Sequence, residues 1–475
     1  MKKKFAGVSV FLLFAVFVAG AQPRTLSLDE AVQLGLQNSK QLKRQQYKIN
    51  EVLSQLAQAK DAALPDMKVN FQYLHALMLS RVISIPGVTT TPLKLPFDFP
   101  AYLGTLSVTE PIFNGNKFKY ARQSADLMVQ MTRLDADKDK DDITYLVINE
   151  YLNFGKILES ELIVAQNMQD VDSKLTEITK YESQGLATQN DVLRFQLQKS
   201  QIQLTEVELE NNRKIANYDM NVLLGLPDST EIILPPMNYK LNENPVFADL
   251  LQQAVTSRRE LQDLSYQSKI ADVNVKQIHD QRLPTVAASG GMYYINPTGE
   301  VIPTHNNLIA PITLGIGVSW DIGTLYKNKN KENEATLQRG ELNTARDQAM
   351  DDIKQDVHTQ FINYQQALEK IKVLEVAVTQ AQENERITES KYKNNLVNTT
   401  DRIDAQTSLY ESRVNLELAK SDATIAYYNI LKSTGNVHSI GRRGWSTSTP
   451  NLLDRFRTGK YHRPYRFYTC LQNGR

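Results

Sequence analysis

Asp135, Asp137, Asp139, Asp141 and Asp142 alternate along the chain as the oxygen ligands of a calcium loop would. The run lacks the central glycine and the terminal glutamate at the right spacing, and lysines are interleaved with it, so it reads as a solvated helix face. The six histidines, at 75, 279, 305, 358, 438 and 462, are scattered and form no HExxH pair for a metal. One cysteine, Cys470, excludes an internal disulfide framework and a multi-thiolate site. No phosphate-cradling glycine loop, dinucleotide fingerprint or nucleophile elbow occurs. The sequence holds no catalytic constellation, so the chain is expected not to be an enzyme, with no catalytic residues, cofactor or metal. Another carboxylate pair remains. Asp401 and Asp404 are three residues apart and share one helix face. Asp191 and Asp401 each follow a turn, where a carboxylate can cap a helix or simply sit in solvent.

These residues need long elements to hold them. Of 17 prolines, none falls between 112 and 226 or between 312 and 449. Both windows are rich in Gln, Glu, Lys, Ala, Leu and Asn. Proline costs about 3 kcal/mol inside a helix, so such tracts predict long helices. Ile143, Val147, Tyr151, Phe154 and Leu158 step by four and three, as do Ile353, Val357, Phe361, Tyr364 and Leu368. That is a coiled-coil-like seam. From Lys117 to Tyr181 such a helix would run roughly 95 Å at 1.5 Å per residue.

Proline-rich zones between the rods carry strand alternation. Ile312, Leu314, Ile316 and Val318 alternate with Thr313, Gly315, Gly317 and Ser319. Met67, Val69, Phe71 and Tyr73 alternate with Lys68, Asn70 and Gln72. Tyr102, Leu106, Val108 and Ile112 share a face, and Val286, Met292 and Tyr294 are more weakly in phase. A small soluble sheet fits this pattern, but a barrel wall with lipid outside and water inside fits it better in an exported chain.

Export is indicated by the N-terminus. Lys2, Lys3 and Lys4 precede an apolar core from Phe5 to Val18, and Ala19-Gly20-Ala21 suits a signal peptidase, so residues 1–21 read as a signal peptide. Residues 436–475 carry eight Lys/Arg against one Asp and have no period, so they read as a disordered basic tail or as sequence that was never selected. Between 22 and 435 the net charge is −9, which argues against nucleic-acid binding.

The halves repeat. Leu42 and Leu64-Pro65 match Leu261 and Leu283-Pro284 at an offset of 219. Val108, Asp191, Gln196, Tyr218 and Gly225 match Val318, Asp401, Gln406, Tyr428 and Gly435 at an offset of 210. A period this long means duplication of a domain, giving a first repeat over 22–226, a linker over 227–246 and a second repeat over 247–435. One chain then offers four strands. Four cannot close a barrel, so strands lying in a membrane require more than one copy.

On these residues the chain resembles the TolC-like outer-membrane efflux channels over roughly 25–436. The resemblance rests on the duplication, the Leu-Pro at each strand entry, the segment Thr109-Glu110-Pro111-Ile112-Phe113, and two matched turn motifs. These are Lys180-Tyr181-x-x-x-Gly185-Leu186 before Asp191-Val192-Leu193, and Lys391-Tyr392-x-x-x-Leu396 before Asp401-Arg402-Ile403-Asp404-Ala405. The family implies a mainly α fold with a membrane β-barrel: a homotrimer whose four strands per chain form a twelve-stranded outer-membrane barrel above a long periplasmic α-barrel. It implies passive export of small molecules or drugs delivered by an inner-membrane transporter and a periplasmic adaptor. By the same resemblance Gln184, Gly185, Leu186, Ala187, Asn394, Asn395, Leu396 and Val397 form the adaptor-contacting tip. Asp401 and Asp404 ring the pore aperture, and Asp191 and Tyr392 belong to a latch that closes it. The family's best-known latch has an arginine four residues before the first ring aspartate. Val397 stands there, which leaves Arg402 or Arg194 as substitutes. A pore-less coiled-coil rod of the envelope is the alternative. It would explain the helices but neither the paired strands nor the duplication. A periplasmic adaptor would carry one such hairpin, not two.

Overall fold

The computed structural model describes residues 24–77, 82–83, 93–94, 98–236, 245–297, 310–394 and 396–437. The expected signal peptide at 1–21, part of the expected linker (237–244), Asn395 and the basic tail beyond Val437 lie outside the described residues.

In chain order the first half holds β1 (Arg24–Thr25), α1 (Leu28–Asn38), α2 (Lys40–Asp61), β2 (Asp66–Leu77), β3 (Val82–Ile83), β4 (Leu93–Lys94), β5 (Asp98–Asn114), α3 (Lys117–Ser183) and α4 (Gln189–Leu224). The second holds β6 (Ile232–Ile233), α5 (Phe247–Ser257), α6 (Arg259–Asp280), β7 (Thr285–Pro297), β8 (Ile312–Ser319), α7 (Thr324–Lys393) and α8 (Thr399–Ser433). The helix lengths of the two halves correspond. Helices of 11, 22, 67 and 36 residues in the first half face helices of 11, 22, 70 and 35 in the second. At 1.5 Å per residue α3 and α7 are rods of about 100 Å.

The proline-free seams build these rods. Ile143, Val147, Tyr151 and Phe154 on α3 are buried, as are Ile353, Val357 and Tyr364 on α7. The first set forms the largest core, where mid-α3 meets α1, the end of α4 and the small parallel sheet of β1 and β6. A Cβ on Gly35 of α1 would come within 2.6 Å of Val147, so the close approach of these helices requires glycine there. Tyr151 donates to the Leu26 carbonyl at 2.9 Å. Its hydroxyl is pushed up to about 12 by burial, with the charge of Asp29 adding.

The sheet runs β2-β5-β7-β8, antiparallel throughout. Its register lines up apolar rows: Met67, Val108, Gly290 and Leu314, then Val69, Leu106, Met292 and Ile312. The intervening rows are polar, with Asn70, Thr105 and Tyr293 in one and Lys68, Ser107, Gly291 and Thr313 in another. The apolar face has no protein against it; Leu314 is 87% and Val69 77% exposed. One expectation is corrected here. Ile112 does not continue the face of Leu106 and Val108 in simple alternation, because a register shift between Pro111 and Phe113 puts Phe113 opposite Val286. Proline cannot donate to the ladder, and a bulge accommodates it.

The strands hand over to the rods at a tight junction. Gly115 and Asn116 both have positive φ, 61° and 62°. Asn116 Nδ2 and Tyr120 Oη each donate to Asp280 Oδ2 at 2.8 Å, tying the start of α3 to the end of α6. Burial raises the Asp280 carboxyl, but hydrogen bonds from Asn116, His279 and Tyr120 outweigh it and hold it below the usual carboxylate range.

Candidate functional site at the hairpin tips

Both rods turn at the end far from the sheet, and the two turns are built alike. In the first, the Leu186 amide donates to the Tyr181 carbonyl at 2.8 Å and the Gly185 amide to Glu182 at 2.9 Å. Gly185 sits at φ 72°. This is a Schellman ending, in which glycine takes the left-handed position. In the second, the Leu396 amide donates to the Lys391 carbonyl at 2.9 Å. Asn394 is not left-handed; its φ of −99° matches Gln184 at −96°, not Gly185. Asn395 lies outside the described residues. Leu186 and Leu396 project into solvent, each 72% exposed, Gln184, Gly185 and Asn394 are also exposed, and Ala187 and Val397 are half-buried.

Each returning helix opens with a capping box. Asp191 Oδ2 accepts from the Thr188 amide at 2.9 Å and from its hydroxyl at 2.6 Å, while the Asp191 amide donates to Thr188 Oγ1 at 3.2 Å. Asp401 Oδ2 accepts from the Asn398 amide at 3.3 Å, and the Asp401 amide donates to Asn398 Oδ1 at 2.9 Å. Both aspartates therefore satisfy backbone donors that a helix start leaves unpaired. Asp404, one turn on, is exposed. The hydroxyl of Thr399, the first residue of α8, also favours the charged form of Asp191. Desolvation pushes its carboxyl up, but the Thr188 and Thr399 bonds prevail and hold it below the ordinary value, with Arg194 adding to the effect. Tyr392 reaches the same Thr399, with Oη 3.5 Å from Oγ1. Asp191 and Tyr392 thus meet at one hydroxyl from opposite hairpins.

Arg402 is the most heavily engaged side chain at the tip. It is only 2% exposed. Its guanidinium donates to Glu389 through Nε at 2.7 Å and Nη2 at 2.9 Å, and to Glu177 Oε2 at 2.7 Å. It also lies over the Tyr392 ring, 4.6 Å from the centroid. α8 is thereby clamped to α7 and to α3 of the other hairpin. Burial works against the guanidinium charge, but bonds to Glu177 and Glu389 more than offset it and raise its pKa. The Glu389 carboxyl, raised by desolvation and lowered more by Arg402 and Lys174, sits below its usual range. Around the clamp Ile178, Val192 and Phe195 pack with Tyr181, Ala187, Tyr392 and Ile403. One turn higher, Lys174 Nζ donates to Glu385 at 3.1 Å.

Sequence reasoning placed Arg402 among the substitutes for the missing arginine and missed Glu177 and Glu389. Arg194, the other substitute, is exposed. Among the described residues no group of three or more His, Cys, Asp or Glu could hold a metal ion, and no helix is long and apolar enough to cross a membrane.

Residues 250–436 match the outer membrane efflux protein family. No curated protein sequence matches the chain. Among solved structures it is similar to the outer membrane protein VceC of Vibrio cholerae, at 15% identity and a TM-score of 0.70 over 86% of this chain and 96% of that one. It is similar to the CmeC outer membrane channel of Campylobacter jejuni, at 12% identity and a TM-score of 0.68 over 92% and 94%. It is similar also to the open-state MtrE outer membrane channel of Neisseria gonorrhoeae, at 14% identity and 0.65 over 86% and 89%. At these identities the likeness to solved structures is one of fold. Residues 250–436 match the outer membrane efflux protein family, and the chain as a whole shares the fold of these solved outer-membrane proteins.

Proposed function

We propose that this chain is the outer-membrane channel of a tripartite export system, a passive conduit for substrates delivered from the inner membrane. The observation that carries the reading is the four-stranded sheet with a bare apolar face and a polar reverse, continuous with two rods of about 100 Å. Only a closed barrel hides strand edges in lipid. Among the described residues the edges left open are β2 and β8 in the sheet, and α2 and α4 on one side of the rods with α7 on the other. Exposed apolar side chains run along both rod edges, including Leu197, Leu204 and Tyr218 on α4 and Ile362, Val373 and Val376 on α7. One rotation that joins β8 to β2 of the next copy joins α7 to α4 as well. Three copies close twelve strands, within the range of membrane barrels.

The tip is then the periplasmic end. Leu186 and Leu396, flanked by Gln184, Gly185, Ala187, Asn394, Asn395 and Val397, form the surface that meets a periplasmic adaptor. The adaptor in turn couples the channel to an inner-membrane transporter. Asp401 and Asp404, both exposed, are the carboxylates of the aperture. Asp401 and Asp191 hold the turns as caps, and Asp191, Thr399 and Tyr392 together with the Arg402 clamp keep the hairpins closed.

Single-channel recording in a planar bilayer tests the proposal. A small, cation-selective conductance is expected, with selectivity reduced by Asp401→Ala/Asp404→Ala. No conductance from a folded oligomer whose tip has been released by Arg402→Ala would overturn it.

A further inference from the structure

A groove of about 890 Å³ lies between the end of α2 and the start of α3, just below the sheet. Leu56, Ala59 and Phe118 line it with apolar surface, and Lys60, Lys119 and Arg122 bring three cations to it. Asp126 is the one acid of its lining, and it already accepts from Gln130 at 2.8 Å. All three cations are exposed, and none of them has a carboxylate within ion-pair distance among the described residues. Lys119 lies 5.8 Å from the Tyr120 ring centroid.

Position gives the groove its meaning. Lys60 precedes the first residue of β2 by six, and Lys119 follows the last residue of β5 by five. At 1.5 Å per helical residue Lys60 and Lys119 are within about 10 Å of the base of the sheet, and Arg122 is about 12 Å from it. If the bare face of the sheet lies in hydrocarbon, that depth is the headgroup layer of the periplasmic leaflet. An apolar floor beside three cations is complementary to an amphiphile with a negative head. A free inorganic anion would leave the floor of Leu56, Ala59 and Phe118 unused.

We propose that this groove binds an anionic phospholipid of the periplasmic leaflet, its phosphate among Lys60, Lys119 and Arg122 and the start of its acyl chain over Phe118. The proposal rests on the membrane placement of the sheet. The site fastens the α2–α3 junction to the leaflet at the level where strands become rods.

The test exposes the purified protein to mixed phosphatidylcholine and phosphatidylglycerol micelles and weighs retained lipid by native mass spectrometry. Wild type is expected to retain phosphatidylglycerol over phosphatidylcholine by roughly five-fold or more, and Lys60→Gln/Lys119→Gln/Arg122→Gln to retain both alike. Lys327→Gln/Lys329→Gln, which removes cations at similar depth on α7, should keep the preference. Ala59→Phe fills the floor with every charge intact and should abolish it, which gives a reading even if the triple variant does not fold. Equal retention by wild type, or a preference that survives both groove variants, overturns the proposal. Flotation with liposomes of phosphatidylcholine alone separates the two readings. Insertion without phosphatidylglycerol preference removes only the groove, and failure to insert removes the membrane placement and the groove together.

Discussion

Arg402→Met deletes the tip clamp while keeping most of the volume of the side-chain stem. Three charge-assisted bonds go, at 2.7, 2.7 and 2.9 Å, together with the stacking on Tyr392. Removing one partner of a buried ion pair costs about 3–5 kcal/mol, because the other charge stays behind. Here the charges left behind are not sealed in: the side chains of Glu177 and Glu389 are 31% and 21% exposed. Their partial rehydration lowers the expected cost to about 2–3 kcal/mol. A local opening equilibrium should therefore shift by about 30- to 150-fold. Hydrogen exchange read by mass spectrometry is the assay, with amides at 178–195 and 385–406 accelerating by that factor. Amides of the core around Val147 and Phe154 should not move, since tips open without global unfolding. Glu177→Gln removes only the arm between hairpins, so it should loosen α3 against α8 and leave the α7–α8 turn protected. Unchanged exchange at the tip in Arg402→Met, or acceleration spread evenly to the core, would refute the reasoning.

Gly115→Ala should destabilise the junction of β5 and α3 by about 1–3 kcal/mol, measured by denaturant titration, because φ is 61° and the new Cβ would meet the Asp280 carbonyl oxygen at 2.8 Å. The Glu389 and Asp191 carboxyls are both held below their ordinary values of 4.5 and 3.8. Their stabilisation is therefore complete above those values and is lost as pH falls through the lower folded ones. Exchange at the tip, corrected for its intrinsic pH dependence, should be flat from neutral pH down to about 5 and rise below about 4, and Glu389→Gln should flatten the rise. Asp404→Asn should lower cation selectivity in reversal-potential measurements without changing stability, whereas Asp401→Asn should cost about 0.5–1 kcal/mol by opening a capping box.

The rods and strands were legible because their signals are local and repeated. A seam every three or four residues and a proline-free tract specify α3 and α7 without reference to anything distant. Alternation from Ile312 to Ser319 does the same for β8. The sequence leaves capping by Asp191 and Asp401 as one of two readings, because each follows a turn; their partners Thr188 and Asn398 emerge only with the structure. The bulge at Pro111 was not legible, since its register depends on β7, more than 170 residues away in sequence. Nor were the partners of Arg402. Glu177 lies 225 residues from it and belongs to the other hairpin. The duplication, which aids every other reading, misleads here. At the offset of 210, Arg402 corresponds to Val192, Glu389 to Thr179, and Glu177 to Ile387. A comparison of halves reports three mismatches where the structure has one cluster.

That mismatch separates two ways of closing a helical turn. Val192 is buried against Ile178 and Phe195, so the first turn is held by apolar packing. Pulling it apart would put that surface into water at about 25 cal/mol for each Å². Arg402, at the matching place in the second turn, is held by carboxylates that keep one edge in solvent. When α8 moves away from α3, guanidinium and carboxylates exchange each other for water, and the net cost is far smaller than the gross attraction. An ion pair across the hairpins therefore fixes one closed register without making separation prohibitive. The apolar cluster of the first hairpin also receives Tyr392 and Ile403 from the second, so charge and apolar contact act together at the tip. The second turn, with Arg402 where the first has Val192, is thus joined to α3 by charge as well as by the apolar contacts of Tyr392 and Ile403.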